Sequence, residues 1–281
     1  MTVFLNGQFV PEAQAVVSVF DRGFLYGDGL FETLPVFNGK PFRWAQHWAR
    51  LQRGAEFLRI TMPFASEVLR GFAEQLVVLN QAPFSLLRLT LSRGVGARGY
   101  SPKGADRPSL VISTHSQPEG DQQKPLRWRL VTSRFHLPAN EPLAQFKTCN
   151  KLPQILARTE ADAAGADEAL LLSTDGYVVE GASSNLFWID DNTVCTSPLA
   201  SGVLPGVTRA VVLEICQTCG LAVREANVNP DRLRSAKGVF LSLSSRGIVE
   251  GLLLDGKALA QSTLVERLRV AYWGLVRAES G

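Results

Sequence analysis

The chain has 281 residues, 46% of them hydrophobic, so it is long enough to bury a large core in one or two domains. Its 29 basic and 26 acidic residues are interspersed, and the net charge is only +3. Without a basic arm or an acidic tail, neither nucleic acid nor an anionic membrane is an evident partner. The N-terminus has no signal-peptide pattern, and no apolar run approaches the ~20 residues of a membrane span, so a cytoplasmic location is expected.

The first half of the chain combines strands with two helices. Short alternating runs at 3–5 and 8–10 flank Asn6-Gly7, which predicts a hairpin with a type I′ turn. Apolar residues recur at spacings of three and four along 42–60 and 65–79, which predicts two amphipathic helices. Strands are predicted at 84–92, 109–114 and 126–133.

A polar, proline-flanked stretch at 117–125 has the composition of a linker. We therefore expect a small domain at 1–117, a linker at 118–125 and a larger domain at 126–281. In the larger domain Asn150 is expected to cap a helix that ends at Gly165, and Pro205 to stand in the first turn of a helix over 205–219. The other predicted elements are strands at 168–173, 177–180, 185–189, 193–196 and 239–242 and a helix at 261–278. The antiparallel-looking groups of strands indicate an α+β protein with two domains.

Several common sites are excluded by their missing motifs. The chain has no P-loop, no G-x-S-x-G elbow and no H-E-x-x-H, and its three histidines cannot easily form a metal centre. Cys216 and Cys219 form a C-x-x-C pair inside a helical pattern, so burial on a helix face is favoured over a metal or redox site. No metal is predicted, and the role of Cys149 stays open.

Lys147 and Glu180 are candidate catalytic residues. Lys147 lies just before a predicted helix, where the end of an element can direct a side chain into a cleft. A lysine that forms a Schiff base has to be desolvated or close to another cation. Glu180 closes a predicted strand before the small-residue turn G-A-S-S-N, and a carboxylate there could keep a pyridinium nitrogen protonated. A surface lysine and an exposed acid at the end of a strand are the alternative interpretations.

A phosphate group could bind where the segment L-P-G-V-T-R opens a helix. Gly206, Val207 and Thr208 would offer backbone N–H groups, and Thr208 would add a hydroxyl. Ser244 could supply another hydroxyl. Arg50 shares a helix face with His47, opposite the face that carries Trp44 and Trp48, and could reach inward. A helix cap and a solvated arginine are the alternatives.

The chain carries five separated motifs: F-L-Y-G-D-G-L-F-E-T from Phe24, H-W-A-R-L from His47, F-K-T-C-N-K-L-P-Q-I-L-A-R from Phe146, D-G-Y-V-V-E-G-A-S-S-N-L-F from Asp175 and L-P-G-V-T-R from Leu204. In this order they resemble the motifs of the class-IV aminotransferases. The family comprises branched-chain aminotransferases, D-amino-acid aminotransferases and 4-amino-4-deoxychorismate lyases. The resemblance implies a fold-type IV pyridoxal-phosphate enzyme, generally a homodimer, with a small α/β domain and a larger domain that has a barrel-like β core.

The resemblance also assigns roles to individual residues. It makes Lys147 the Schiff-base lysine and general acid/base, Glu180 the partner of the pyridine nitrogen and Arg50 a phosphate ligand. The remaining cofactor contacts are expected from Gly206, Val207, Thr208 and Ser244, and substrate contacts from Tyr26, Thr33, Arg88 and Arg98.

The segment L-R-L-T-L-S-R-G-V-G-A-R-G-Y-S-P at 87–102 resembles that of 4-amino-4-deoxychorismate lyases. In the lyases, positions matching Arg88 and Arg98 hold the two carboxylates of the amine substrate, a task that suits arginine. Lys151 stands where branched-chain enzymes commonly have a tyrosine, which counts against that assignment. The lyase is therefore favoured. An aminotransferase that uses D-amino acids or branched-chain amino acids with 2-oxoglutarate is the alternative, and a non-catalytic family member that binds the cofactor is favoured least.

Overall fold

The computed structural model describes residues 1–117 and 124–281. The chain folds into two compact units. The first unit contains Met1–Pro118, Phe146–Asn150 and Glu279–Gly281, and the second contains Glu119–Gln145 and Lys151–Ala278. The linker expected at 118–125 falls mostly on residues 118–123, which lie outside the described residues. The domain bounds 1–117 and 126–281 therefore stay a prediction.

The first unit is a six-stranded sheet with two long helices, α2 and α3. Its sheet order is β2-β1-β6-β5-β3-β4. The elements are β1 (Thr2–Leu5), β2 (Gln8–Pro11), α1 (Arg22–Tyr26), β3 (Gly29–Phe37), β4 (Lys40–Pro41), α2 (Trp44–Leu58), α3 (Ser66–Leu79), β5 (Ser85–Ser92) and β6 (Ser109–Ser116).

The hairpin between β1 and β2 is confirmed. Both turn residues have positive φ angles, 49° at Asn6 and 95° at Gly7, as a type I′ turn requires. Apolar side chains of α2 and α3 pack on the sheet in one buried cluster that includes Leu51, Leu76 and Leu87. The long strand β3, which lies between β5 and the short edge strand β4, pairs with β5 over its first eight residues, and it was not predicted from the sequence.

The second unit is built around a nine-stranded mixed sheet that curls into a half barrel. Its order is β12-β11-β10-β13-β14-β7-β8-β9, with β15 paired to β14. The elements are β7 (Arg127–Leu137), α4 (Leu152–Ala163), β8 (Glu168–Ser173), β9 (Val178–Gly181), β10 (Asn185–Asp190), β11 (Thr193–Thr196), α5 (Val207–Thr218), β12 (Val223–Glu225), α6 (Pro230–Arg234), β13 (Gly238–Leu243), β14 (Gly247–Leu254), β15 (Lys257–Ala258) and α7 (Thr263–Ser280). The expected α+β class is confirmed.

Two expectations about helix starts are wrong. Lys151, not Asn150, occupies the N-cap of α4, and the Asn150 side chain instead donates to the Gly27 carbonyl at 3.1 Å. That bond satisfies a carbonyl of the turn that ends α1, and no side chain caps the start of α4 among the described residues. Helix α5 begins at Val207 rather than at Pro205, because extended backbone continues through Gly206.

None of the helices in the described part of the chain combines the length and the apolar character that crossing a membrane requires.

Candidate active site

The segment that carries Lys147 pairs with the start of β3. The Phe31 N–H donates to the Lys147 carbonyl at 2.9 Å, and the Cys149 N–H donates to the Gly29 carbonyl at 2.9 Å. Thr148, between them, forms an isolated antiparallel bridge with Leu30. These bonds fix the backbone of Lys147 relative to the sheet of the first unit.

The amine of Lys147 lies beside an aromatic ring and close to a guanidinium. The half-buried Lys147 places Nζ 4.6 Å from the centroid of the Phe31 ring, and Arg88 places its guanidinium carbon 4.0 Å from the same centroid. Arg88 is paired with Thr33 across β5 and β3, so Thr33 joins this group. Burial lowers the pKa of Arg88, and the nearby Cys149 thiol opposes that shift. An amine and a cationic binding group for carboxylates thus meet at one residue.

The next residue of β3, Glu32, forms a fully buried ionic cluster with α2. Its carboxylate accepts two hydrogen bonds from Arg50, from Nε and Nη2, both at 2.7 Å. A third contact of 2.7 Å joins Glu32 to Nδ1 of His47. Burial alone would raise the pKa of Glu32, but Arg50 and His47 hold it at about 2. Burial and the charges of Arg50 and Lys147 lower the pKa of His47 more than the contact with Glu32 raises it, so the ring is neutral at pH 7.

This cluster corrects the predicted orientation of α2. His47 and Arg50 were expected opposite the tryptophan stripe, but both are buried on the same side as Trp44 and Leu51. Arg50 can be buried there because Glu32 on β3 supplies the opposite charge, and the neutral His47 ring contacts the same carboxylate. The sequence contained a signal for it, since an acid inside the apolar run Leu30–Leu34 needs a buried cationic partner.

Arg98 precedes a loop segment that Arg22 holds against α1, the helix in which Tyr26 is the last residue. The buried Arg22 guanidinium donates to the carbonyls of Gly99, Tyr100 and Ser101, at 2.9, 3.1 and 3.2 Å. It also pairs with Asp28 at 2.9 Å. The Tyr26 hydroxyl accepts a hydrogen bond from the Gly99 N–H at 3.1 Å, whereas the Arg98 side chain next to it is exposed. The structure thus brings Tyr26 next to the residue that follows Arg98.

In the second unit, Glu180 contacts the segment that precedes α5. The half-buried Glu180 carboxylate accepts a hydrogen bond from the Leu204 N–H at 3.1 Å. The Leu204 carbonyl accepts one from the Asn185 amide at 2.9 Å. Sequence reasoning did not identify Asn185 as a residue of this site. The predicted nitrogen partner and the predicted phosphate-binding turn are therefore neighbours.

The N-terminus of α5 offers backbone donors for an anion. Gly206 is the N-cap, Val207 and Thr208 are buried, and no side chain of the described residues caps this helix end. Ser244 is half-buried in the turn after β13. The Ser242 hydroxyl, which was not predicted, is buried and has no hydrogen-bond partner within residues 1–117 and 124–281. An unsatisfied buried hydroxyl of this kind suits a polar ligand.

Another residue that sequence reasoning missed is Glu168, which supports the turn after Glu180. Its fully buried carboxylate accepts hydrogen bonds from the Ser183 hydroxyl at 2.6 Å, the Ser183 N–H at 3.2 Å and the Ser184 hydroxyl at 3.1 Å. The Glu168 carboxylate therefore holds the predicted G-A-S-S-N turn through its two serines.

Cys216 lies apart from these contacts, buried in α5, and its burial raises the pKa of the thiol to about 11.

Comparison with known proteins places the chain in a family. A family model described as class-IV amino-transferase matches residues 29–251. A putative branched-chain-amino-acid aminotransferase of Methanocaldococcus jannaschii is 33% identical, with 92% of this chain and 90% of the relative covered. Relatives named D-alanine aminotransferase also match.

Solved structures of a lyase and of a branched-chain aminotransferase have the same fold as this chain. The 4-amino-4-deoxychorismate lyase of Pseudomonas aeruginosa is 34% identical with a TM-score of 0.83, covering 96% of this chain and 97% of the lyase. The branched-chain aminotransferase of Thermoproteus uzoniensis, solved with norvaline, is 26% identical with a TM-score of 0.90, covering 98% and 94%. These similarities confirm the expected fold type. The chain belongs to the class-IV aminotransferase family, whose members are transaminases and lyases that depend on pyridoxal phosphate.

Proposed function

We propose that the chain is a 4-amino-4-deoxychorismate lyase, which releases pyruvate and forms 4-aminobenzoate, a precursor in folate synthesis. The observation that carries the catalytic part of the proposal is the meeting of Lys147 and Arg88 at the Phe31 ring, 4.6 and 4.0 Å from its centroid. The choice of the lyase rests on the segment at 87–102, which resembles that of the lyases. A group that can move a proton and a group that can bind a carboxylate are thereby held together.

Pyridoxal phosphate fits the residues present. The first unit supplies the half-buried Lys147 amine, which would hold the cofactor. The second unit supplies the Glu180 carboxylate for a pyridine nitrogen, and the uncapped start of α5, with the unsatisfied Ser242 hydroxyl in the same unit, for a phosphate. When bound, the cofactor supplies a protonated ring that can store an electron pair. Glu180 would keep that ring protonated, because a carboxylate favours the charged form of the nitrogen.

The remaining roles belong to this chain's own side chains. Lys147 would remove the proton from the amine-bearing carbon of the substrate. Arg88 would bind one carboxylate and Arg98 the second, and Tyr26 and Thr33 would contact the substrate beside them. Loss of pyruvate leaves an aromatic ring, so the protein chiefly has to hold the substrate in register.

Arg50 is proposed as a phosphate ligand, together with Gly206, Val207, Thr208 and Ser244. Glu32 supports this role because its two hydrogen bonds to Arg50 fix the plane of the guanidinium. A buried arginine without that partner would be an uncompensated charge.

An aminotransferase that acts on D-amino acids or branched-chain amino acids with 2-oxoglutarate is the second candidate. Arg88 favours it as well, because one guanidinium beside the amine suffices for the single carboxylate of an amino acid. The names of several relatives are a further reason to keep it. A non-catalytic member that binds pyridoxal phosphate is the third and least favoured candidate.

We also propose a homodimer. Several large apolar side chains between residues 16 and 25 are exposed, among them Val16 at 75%, Phe20 at 64% and Phe24 at 73%. Exposed apolar side chains that lie this close together in the chain often mark an interface. A cytoplasmic location stays a prediction.

The dimer is tested by molecular mass in solution. The wild-type chain should sediment as two copies of 30.7 kDa, and Phe24→Asp, which places a charge among the exposed apolar side chains, should shift it to one copy. A wild-type protein that sediments as a single chain at micromolar concentration contradicts the proposal.

Replacing Lys147 by alanine should abolish cofactor attachment. The purified wild type is expected to absorb in the visible range after incubation with pyridoxal phosphate, and Lys147→Ala should lack that band and lose at least about 10²-fold in rate. Lys237→Ala, which removes an exposed lysine, is the control and should retain both. A colourless wild type that is insensitive to the cofactor would favour the non-catalytic member.

Product analysis separates the lyase from the aminotransferase. With aminodeoxychorismate the wild type should release pyruvate and 4-aminobenzoate, and Arg88→Ala should lose this activity mainly through a higher KM. Amino donors of both hands, supplied with 2-oxoglutarate, should give no keto acid. Keto-acid formation without pyruvate release would reject the lyase in favour of the second candidate.

Glu32→Gln should destabilise the protein in a pH-dependent way. Because the folded pKa of Glu32 is about 2 instead of 4.5, its ionised form stabilises the fold above pH 4.5, and this stabilisation is lost as the pH falls toward 2. At pH 7 the free energy of unfolding of the variant should be about 3–5 kcal/mol lower than that of the wild type. The difference between variant and wild type should shrink through that acid window, as followed by urea unfolding.

Glu56→Gln changes an exposed acid on the same helix and serves as the control, with little expected effect. An unfolding free energy of Glu32→Gln equal to that of Glu56→Gln at pH 7 would show that the buried cluster does not stabilise the fold.

A further inference from the structure

We propose that Asn185 is a positioning residue that sets Glu180 and the N-terminal turn of α5 in one arrangement for the cofactor. The inference rests on the proposed cofactor roles of those two elements. It concerns a side chain that would act on the cofactor through Leu204 and Gly206.

The Leu204 peptide is held from both sides. Its N–H donates to Glu180 Oε2 at 3.1 Å, and its carbonyl accepts from Asn185 Nδ2 at 2.9 Å. Glu180 belongs to β9 and Asn185 is the first residue of β10. One residue therefore joins the carboxylate to the amide, so a shift of Leu204 changes both contacts.

Asn185 also controls the space in which α5 begins. A Cβ atom added to Gly206 would lie 1.9 Å from Asn185 Oδ1, so the amide oxygen packs directly on the N-cap glycine. The same side chain thus binds Leu204 through its nitrogen and limits Gly206 through its oxygen. The three-residue turn from Leu204 to Gly206 is fixed at both of its ends.

The support behind Asn185 is rigid. Its side chain is only 5% exposed, and its backbone pairs with Ser242 of β13. The turn that links it to Glu180 is closed by a 2.7 Å hydrogen bond from the Gly181 N–H to the Ser184 carbonyl. Because Glu168 holds both serines of that turn, the positions of Glu180 and Asn185 are set together.

A purely structural role would make a different prediction. A buried amide that satisfies one carbonyl stabilises a fold wherever it occurs, and its loss would lower the melting temperature without changing a bound cofactor. Asn80 offers a matched comparison, since its side chain makes three hydrogen bonds, to the N–H and carbonyl of Thr2 and to the hydroxyl of Thr114. It belongs to the first unit and has none of the proposed cofactor roles.

The experiment compares Asn185→Ala, Gly206→Ala and the Asn80→Ala control. Apo protein is titrated with pyridoxal phosphate and with pyridoxal, which lacks the phosphate, and the absorbance of the bound cofactor is followed against pH. Asn185→Ala should weaken binding of pyridoxal phosphate about tenfold or more and reduce its advantage over pyridoxal. It should also shift the pH midpoint of the absorbance, because the Glu180 contact changes.

Gly206→Ala displaces the Asn185 amide without removing it, so it should weaken cofactor binding and shift the pH midpoint in the same way. It replaces Asn185→Ala in the comparison if that variant does not fold. The double variant should lose less than the sum of the two single variants, because both break one contact. Asn80→Ala should lower the melting temperature and leave affinity and pH midpoint unchanged.

Two outcomes overturn the inference, and they are distinguishable. If the wild type binds pyridoxal phosphate with a visible band while Asn185→Ala or Gly206→Ala keeps its affinity and pH midpoint, Asn185 is only structural. If the wild type binds no pyridoxal phosphate, the proposed function fails and the inference fails with it.

Discussion

Two backbone hydrogen bonds between β3 and the segment around Lys147 are the constraint on which the first unit's chemistry depends. Without them, a lysine next to a helix start would be a flexible surface charge. With them, the carbonyl of Lys147 is tied to Phe31, and the amine of the same residue lies beside the Phe31 ring. One residue of the strand thus fixes both the main chain and the side chain of the lysine.

The alternation of a strand explains how β3 serves two purposes. Side chains of consecutive residues point to opposite faces, so Phe31 and Thr33 share one face while Glu32 lies on the other. Glu32 binds α2 through Arg50 and His47, and Phe31 contacts Lys147 and Arg88. Because the ionic cluster holds the helix to the strand, it also keeps that strand in the position from which its other face contacts the lysine.

The elements that the sequence predicted best are those with clear periodicity or turn chemistry. The strands over 168–173 and 193–196 have the predicted bounds, and the Asn6-Gly7 hairpin has the predicted turn. The strand β3 was missed because eight of its nine residues are buried and it shows no period-two pattern. Strand β14 was missed for the same reason, since its first five residues are all buried.

The residues of the candidate site were found mainly by motif, whereas Glu32, Asn185 and Glu168 act through contacts with residues at least 15 positions away in the chain. Spacing along a sequence carries no record of such contacts, and only the requirement that a buried charge be neutralised could have pointed to a cationic partner for Glu32.

Arg22 holds the loop at residues 99–101 through main-chain contacts alone. The guanidinium binds three successive carbonyl oxygens, so the path of residues 99–101 depends on main-chain atoms that every amino acid has. The side chains of Arg98 and Tyr100 are exposed and take no part in these hydrogen bonds. Evolution can therefore exchange those two side chains while the loop keeps its course.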